Sequence, residues 1–142
     1  MLFYRVLTWV MPLSLLFSVQ AAIADVVVIV SAKSPVVNLS ADQVSKIFLG
    51  KSTSFPNHDP AYPIDQPQGS AVRDEFYAKV VHKDASQLAA YWAKIIFTGE
   101  GRPPKLVAGD KAVVKVIADN PDAIGYIDSS ALNHSVRAVL LP

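Results

Sequence analysis

The sequence predicts an α/β domain in which helices pack on a small mixed sheet. "DVVVIVS", Asp25 to Ser31, is a nearly continuous β-branched run, which suits a strand covered on both faces. Capped amphipathic stretches then alternate with short apolar runs, the order expected when helices cover a sheet. The chain has no cysteine, so packing alone must hold the domain, and thiol catalysis, Cys-ligated zinc and iron–sulfur clusters are excluded.

The first residues, "MLFYRVLTWVMPLSLLFSVQAAIA", carry one charge at Arg5, an apolar run from Val6 to Phe17 and the small-residue pattern Ala22-Ile23-Ala24. That order predicts a secretory signal peptide over residues 1–24, cleaved to leave one domain over residues 25–142. An uncleaved anchor helix is the alternative, but no basic stop-transfer cluster follows Ala24. Arg5 is one of 13 basic residues against 12 acidic ones, so the remainder is formally neutral and gives no nucleic-acid signal.

"SAKSPVVNL" is a connection broken by Pro35. Ser40 then opens a helix, with Gln43 completing a capping box and Leu39 and Val44 placed for a hydrophobic staple. Val44, Ile47 and Phe48 form its inward stripe, and Gly50 suits the left-handed residue that ends it. "KSTSFPNHDPAYP" reads as a surface loop leading to a brief strand, Tyr62 to Asp65.

A helix is expected from about Ser70 to Val81, with Val72, Phe76, Tyr77, Val80 and Val81 on one side. Asp84 caps another, with Gln87 at the capping-box position and Leu88, Tyr91, Trp92, Ile95 and Ile96 as a core stripe. "TGEGRPPK" is a loop. In "GDKAVVKVIADNP" the residues Val113, Val114, Val116 and Ile117 have strand propensity, yet Asp110 is a good cap and Asn120-Pro121 a good stop, so a helix is expected. Strands over Ile124 to Asp128 and Val136 to Leu141 complete the order.

Gly69 and Ser70 lie where a loop enters a helix, leaving the amides of Ala71, Val72 and Arg73 without intrahelical acceptors. Such a terminus, with its dipole, is an anion seat; Ser70 could add a hydroxyl, Arg73 a planar donor, and Gln66 and Gln68 neutral amides. The alternative is a plain helix cap, and Asp74 and Glu75 in the same turn oppose an incoming anion. No catalytic set emerges. Ser70 and His82 stand at opposite ends of one predicted helix, about 18 Å apart at the helical rise, and His58, His82 and His134 lack metal-ligand spacing.

The segments "VVVIVSAKSP", "LSADQVSKIFLGKSTSFPN", "YPIDQPQGSAVRDEFYAKV" and "NPDAIGYI" resemble, in order and near spacing, the periplasmic phosphate-binding component of phosphate ABC transporters. "IFLGK" and "DAIGYI" are the more specific pieces. The resemblance spans one crossing strand and the second lobe of a two-lobed type 2 periplasmic binding fold, as in short stand-alone members. It implies a periplasmic binder of phosphate or a similar oxyanion and not an enzyme, with no cofactor.

The family's oxyanion loop reads Arg-x-Asp-Gly-Ser-Gly-Thr. Here Gly69 and Ser70 match, while Gln66 stands for the arginine, Gln68 for the aspartate, Ala71 for the second glycine and Val72 for the threonine. Implied partners are an ABC transporter permease or a membrane sensor, with a homodimer as one source of a second ligand-facing surface. A ligand-free interaction module docking on a sensor, transporter or porin is the competing expectation.

Overall fold

The structure, a computed structural model, describes residues 25–142; the expected signal peptide lies outside the described residues. Strand β1 (Val26–Ser31) is buried along its whole length. Its neighbours are β4 (Ala123–Asp128) and β5 (Val136–Leu140), both antiparallel. On the other side of β4, strands β2 (Tyr62–Asp65) and β3 (Lys105–Leu106) run parallel, giving the order β3-β2-β4-β1-β5 in a five-stranded mixed sheet. The α/β class with a mixed sheet is therefore as expected.

Both faces of the sheet are covered, which explains the unbroken apolar run of β1. Val26, Val28 and Val30 meet α1 (Ala41–Phe48), α2 (Ala71–Phe76) and α3 (Ala85–Thr98) in one core cluster. Val27 and Ile29 meet α4 (Asp110–Asp119) in a second. The handedness of parallel crossovers accounts for this division. The path from β2 to β3 carries α2 and α3 over one face; the return from β3 to β4 moves the opposite way along the sheet, so a right-handed connection puts α4 on the other face.

Local signals place most elements. Ser40 Oγ accepts from the Gln43 amide at 3.1 Å and the Gln43 side chain accepts from the Ser40 amide at 2.9 Å, the reciprocal cap expected. Asp84 and Gln87 repeat it. Leu39 and Val44 are both buried, and Gly50 is left-handed. Arg137 on β5 donates to the carbonyls of Ala32, Ser34 and Val36, so one guanidinium fixes the connection from β1 to α1. Ser31 Oγ donates to Ala118 O at 3.1 Å and fastens the end of β1 to α4.

Several expectations need correction. The predicted helix Ser70 to Val81 is α-helical only to Phe76; Tyr77–Val81 form a wider π-type turn closed by left-handed His82, with the His82 and Lys83 amides both bonding Tyr77 O. Its five predicted inward residues are nonetheless all buried. Ile96 is 58% exposed rather than core, because in the last turn of α3 it is Ile95 that packs against the core cluster and Ile96 points past it. Asp110 is the first helical residue of α4 and Gly109 the N-cap, since the Asp110 side chain turns away to another donor. The loop after α1 is not wholly superficial: Phe55 is buried in the larger core cluster.

Gly125, in the centre of β4, lies directly under α4. A Cβ there would sit 3.1 Å from Val113 Cγ1 and 3.2 Å from Ile117 Cδ1, tighter than ordinary contact, so the missing side chain sets the helix-to-sheet distance. Gly125→Ala is expected to cost about 1–3 kcal/mol by overpacking. Urea denaturation checks this, as a lower midpoint with an unchanged slope.

Candidate functional site

The two parallel strands β2 and β3 end side by side, and their outgoing connections diverge to opposite faces of the sheet. Such a divergence opens a crevice beyond the carboxyl ends of the strands, where ligands of open α/β sheets bind. The loop Gln66 to Ser70 enters α2 on one side of it, and the loop Val107 to Gly109 enters α4 on the other. The Val107 amide donates to Asp65 O at 2.8 Å and holds the two strand ends together.

Under the crevice lies a buried polar cluster built on Asp65, only 2% exposed. Its Oδ2 accepts from Tyr77 Oη at 2.6 Å, while Oδ1 accepts from Tyr126 Oη and from the Gln66 amide at 2.8 Å. Arg73 Nη2 stands 4.0 Å from Oδ2, and the guanidinium lies 5.4 Å from the Tyr77 ring centroid. A carboxylate removed from water needs such donors, and together they compensate its charge. Burial, first, and the adjacent Asp65 carboxylate, second, push both the Tyr77 and Tyr126 hydroxyls well above the ordinary tyrosine range.

The aromatic rings carry the cluster into the core. Phe76 stacks on Tyr126 with centroids 4.1 Å apart, and Phe48 meets Phe76 edge-on at 4.7 Å. The rings join α1, α2 and β4, so the position of Asp65 is coupled to three elements at once.

Gln66, 3% exposed, is fully engaged. Its Nε2 donates to Asp110 Oδ1 at 2.9 Å and to Tyr126 O at 3.0 Å, and its Oε1 accepts from Ser70 Oγ at 3.4 Å. The Gln66–Asp110 bond ties the two loops flanking the crevice. Asp110 Oδ2 also accepts from the Asp128 amide, so one carboxylate at the start of α4 serves β2 and β4 together.

The seven residues proposed from sequence thus fall into two groups. Gln66, Ser70 and Arg73 turn into the protein: Ser70 Oγ caps the Arg73 amide at 3.3 Å, and Arg73 Nη1 donates to Gln66 O at 3.2 Å. Gln68, Gly69 and Ala71 are exposed, Val72 packs its side chain in the core, and Gly69 has φ 95°, a backbone conformation that few other residues adopt. The Ala71 and Val72 amides precede any intrahelical acceptor. Asp74 is exposed, and Glu75 pairs with Lys79 at 2.6 Å, so only Asp74 adds an open negative charge beside the helix start.

Asp65, Tyr77, Tyr126 and Asp110 were not read from sequence as site residues: Tyr77 was expected only as an inward helix residue and Asp110 only as a helix cap. The available signal was an aspartate ending an otherwise apolar strand, with tyrosines on the inward faces of a helix and a buried strand. The histidines His58, His82 and His134 are all exposed and, among the described residues, no group of three or more His, Cys, Asp or Glu could hold a metal ion. No helix among them is long and apolar enough to cross a membrane.

No family model and no curated protein matches the chain. Solved structures do. A chain from Clostridium perfringens, described as a phosphate ABC transporter substrate-binding protein with bound phosphate, is similar at 26% identity and TM-score 0.65, over 84% of this chain and 46% of that one. An ABC-type phosphate transport receptor from Vibrio cholerae is similar at 17% identity and TM-score 0.64, over 82% and 45%. PstS from Borrelia burgdorferi gives 12% identity and TM-score 0.62, over 82% and 46%. This chain has the fold of one lobe of such proteins and spans less than half their length. These neighbours are binding proteins and receptors, not enzymes.

Two predictions follow the geometry. Asp65→Asn should destabilise by about 3 kcal/mol, because two buried hydroxyls and Arg73 lose the charge they face; thermal and urea unfolding measure it. Since Tyr77 and Tyr126 are raised in the folded state, they bind protons that the unfolded chain releases above its ordinary tyrosine value of about 10. Their contribution is whole below that pH and lost as pH rises through it. Alkaline unfolding should therefore coincide with the late rise in tyrosinate absorbance, and Tyr126→Phe should shrink that step.

Proposed function

We propose that this chain is a periplasmic solute-binding protein of the phosphate-binding type, exported through residues 1–24, which takes phosphate or a similar oxyanion at the start of α2. The observation that supports this most directly is the turn at Gly69, with Gly69 and Ala71 exposed, which opens α2 at the divergence of β2 and β3 in a fold that matches half of phosphate-binding receptors. The recognition residues are the amides of Ala71 and Val72 with Gly69 and Gln68, the turn being held by the Ser70 cap. Gln66 and Arg73 act from behind it, Gln66 by tying the loop to α4 and Arg73 by placing positive charge beneath the turn.

Magnitudes limit the affinity. A few charge-assisted hydrogen bonds, about 1.5–3 kcal/mol each, offset an association cost of roughly 4 kcal/mol or more. A single lobe then binds near the millimolar range, and a second surface, from a homodimer, an ABC transporter permease or a membrane sensor, would raise it. A second reading is favoured by the inward turn of Gln66, Ser70 and Arg73: an interaction module that docks on a membrane sensor, transporter or porin without ligand.

Titration calorimetry with phosphate and with sulfate separates the two. Saturable heat with Kd about 1 mM, lost in Gly69→Val, is the expected result. Heat indistinguishable from dilution up to tens of millimolar would refute oxyanion recognition, and a membrane partner captured equally by Ser70→Ala would then support the docking module.

A further inference from the structure

A cavity of about 740 Å³ lies at the opposite end of β2 from the turn at Gly69. It arises from the sheet itself. Strand β3 pairs only with Ile64 and Asp65, so Tyr62 and Pro63 have no strand beside them on that side, and the space such a strand would fill stays open. Ile47, Ile64 and Val116 line it on the inside; Tyr62, 55% exposed, faces Pro103 and Pro104 across it.

The edge is poorly suited to an added peptide strand. Pro63 has no N–H, and the Tyr62 amide already donates to Asp122 O at 2.9 Å, so a strand would find no donor at either residue. An apolar body without backbone groups suits it better. The rim carries Arg102 and Lys105 against the single acid Glu100. Among the described residues the ion pairs are Lys46–Asp42, Arg73–Asp65 and Lys79–Glu75, which leaves both rim cations unpaired. The volume falls in the range of about 300–1,000 Å³ that holds a ligand of some twenty heavy atoms and far exceeds an inorganic oxyanion.

We propose that this cavity binds an amphipathic organic anion, an apolar chain or ring system carrying one carboxylate, with the body against Ile64, Val116 and Tyr62 and the head between Arg102 and Lys105. The site is separate from the turn at Gly69, which lies at the other end of the strand.

Fluorescence titration with anilinonaphthalene sulfonate, followed by displacement with decanoate, tests it. Saturable binding of one probe per chain is expected, displaced by decanoate but not by decyltrimethylammonium or inorganic phosphate. The double variant Arg102→Glu/Lys105→Glu should weaken probe binding about tenfold. Val116→Trp, on a half-buried position at the cavity wall, should remove it while the thermal transition stays cooperative, and Ser70→Ala should leave it unchanged. Absence of saturable binding, equal displacement by the cationic amphiphile, or indifference to the charge reversal would overturn the proposal.

Discussion

The Asp65 carboxylate, shut away from water between the Tyr77 and Tyr126 hydroxyls, is the constraint around which the rest of the domain is arranged. An unpaired buried charge costs several kcal/mol, so the helical segment from Ala71 to Val81 and β4 must each bring a donor to the end of β2. Arg73 closes the cluster from above and the Gln66 amide from the side. Because the donors come from different elements, none can shift without exposing the carboxylate. The stacked Phe76 and Tyr126 rings extend the same demand into the apolar core.

The same arrangement braces the two ends of the Gln66–Ser70 loop with side-chain hydrogen bonds. Gln66 reaches Asp110, Ser70 reaches Gln66, and Arg73 returns to the Gln66 carbonyl, so the loop is closed on itself before any ligand arrives. In the proposed oxyanion site, a turn braced in this way would lose little freedom on binding, which would offset part of the entropy that weak sites must overcome. The neutral Gln66 fits this role: a buried arginine at position 66 would face Arg73 across a single carboxylate.

Much of the fold was legible because its signals are local. Two capping boxes, the staple of Leu39 and Val44 and the Gly50 terminus are written within a few residues each, and each forms as read. The Asp65 cluster was not legible, since its tyrosines lie 12 and 61 residues away and nothing nearby marks them as partners. A separation of 41 residues hid β3, a two-residue strand that pairs only with the end of β2. The periodic stripe of α3 misled at Ile96 because periodicity names a face and not how far the opposing layer extends. Of the candidate site, the position of the turn was readable, but the inward direction of Gln66 and Arg73 depends on Asp110 and Asp65, which sequence spacing does not bring together.

The placement of β1 carries a consequence for how the molecule comes to exist. Among the described residues β1 is flanked by β4 and β5, with Val26 opposite Asp128 and Ser31 opposite Val136, so both neighbours lie about a hundred residues downstream. No amount of early local structure can cover that strand. Strand β1 therefore stays unpaired on both edges until β4 and β5 have formed, which makes its burial a late, long-range step of folding.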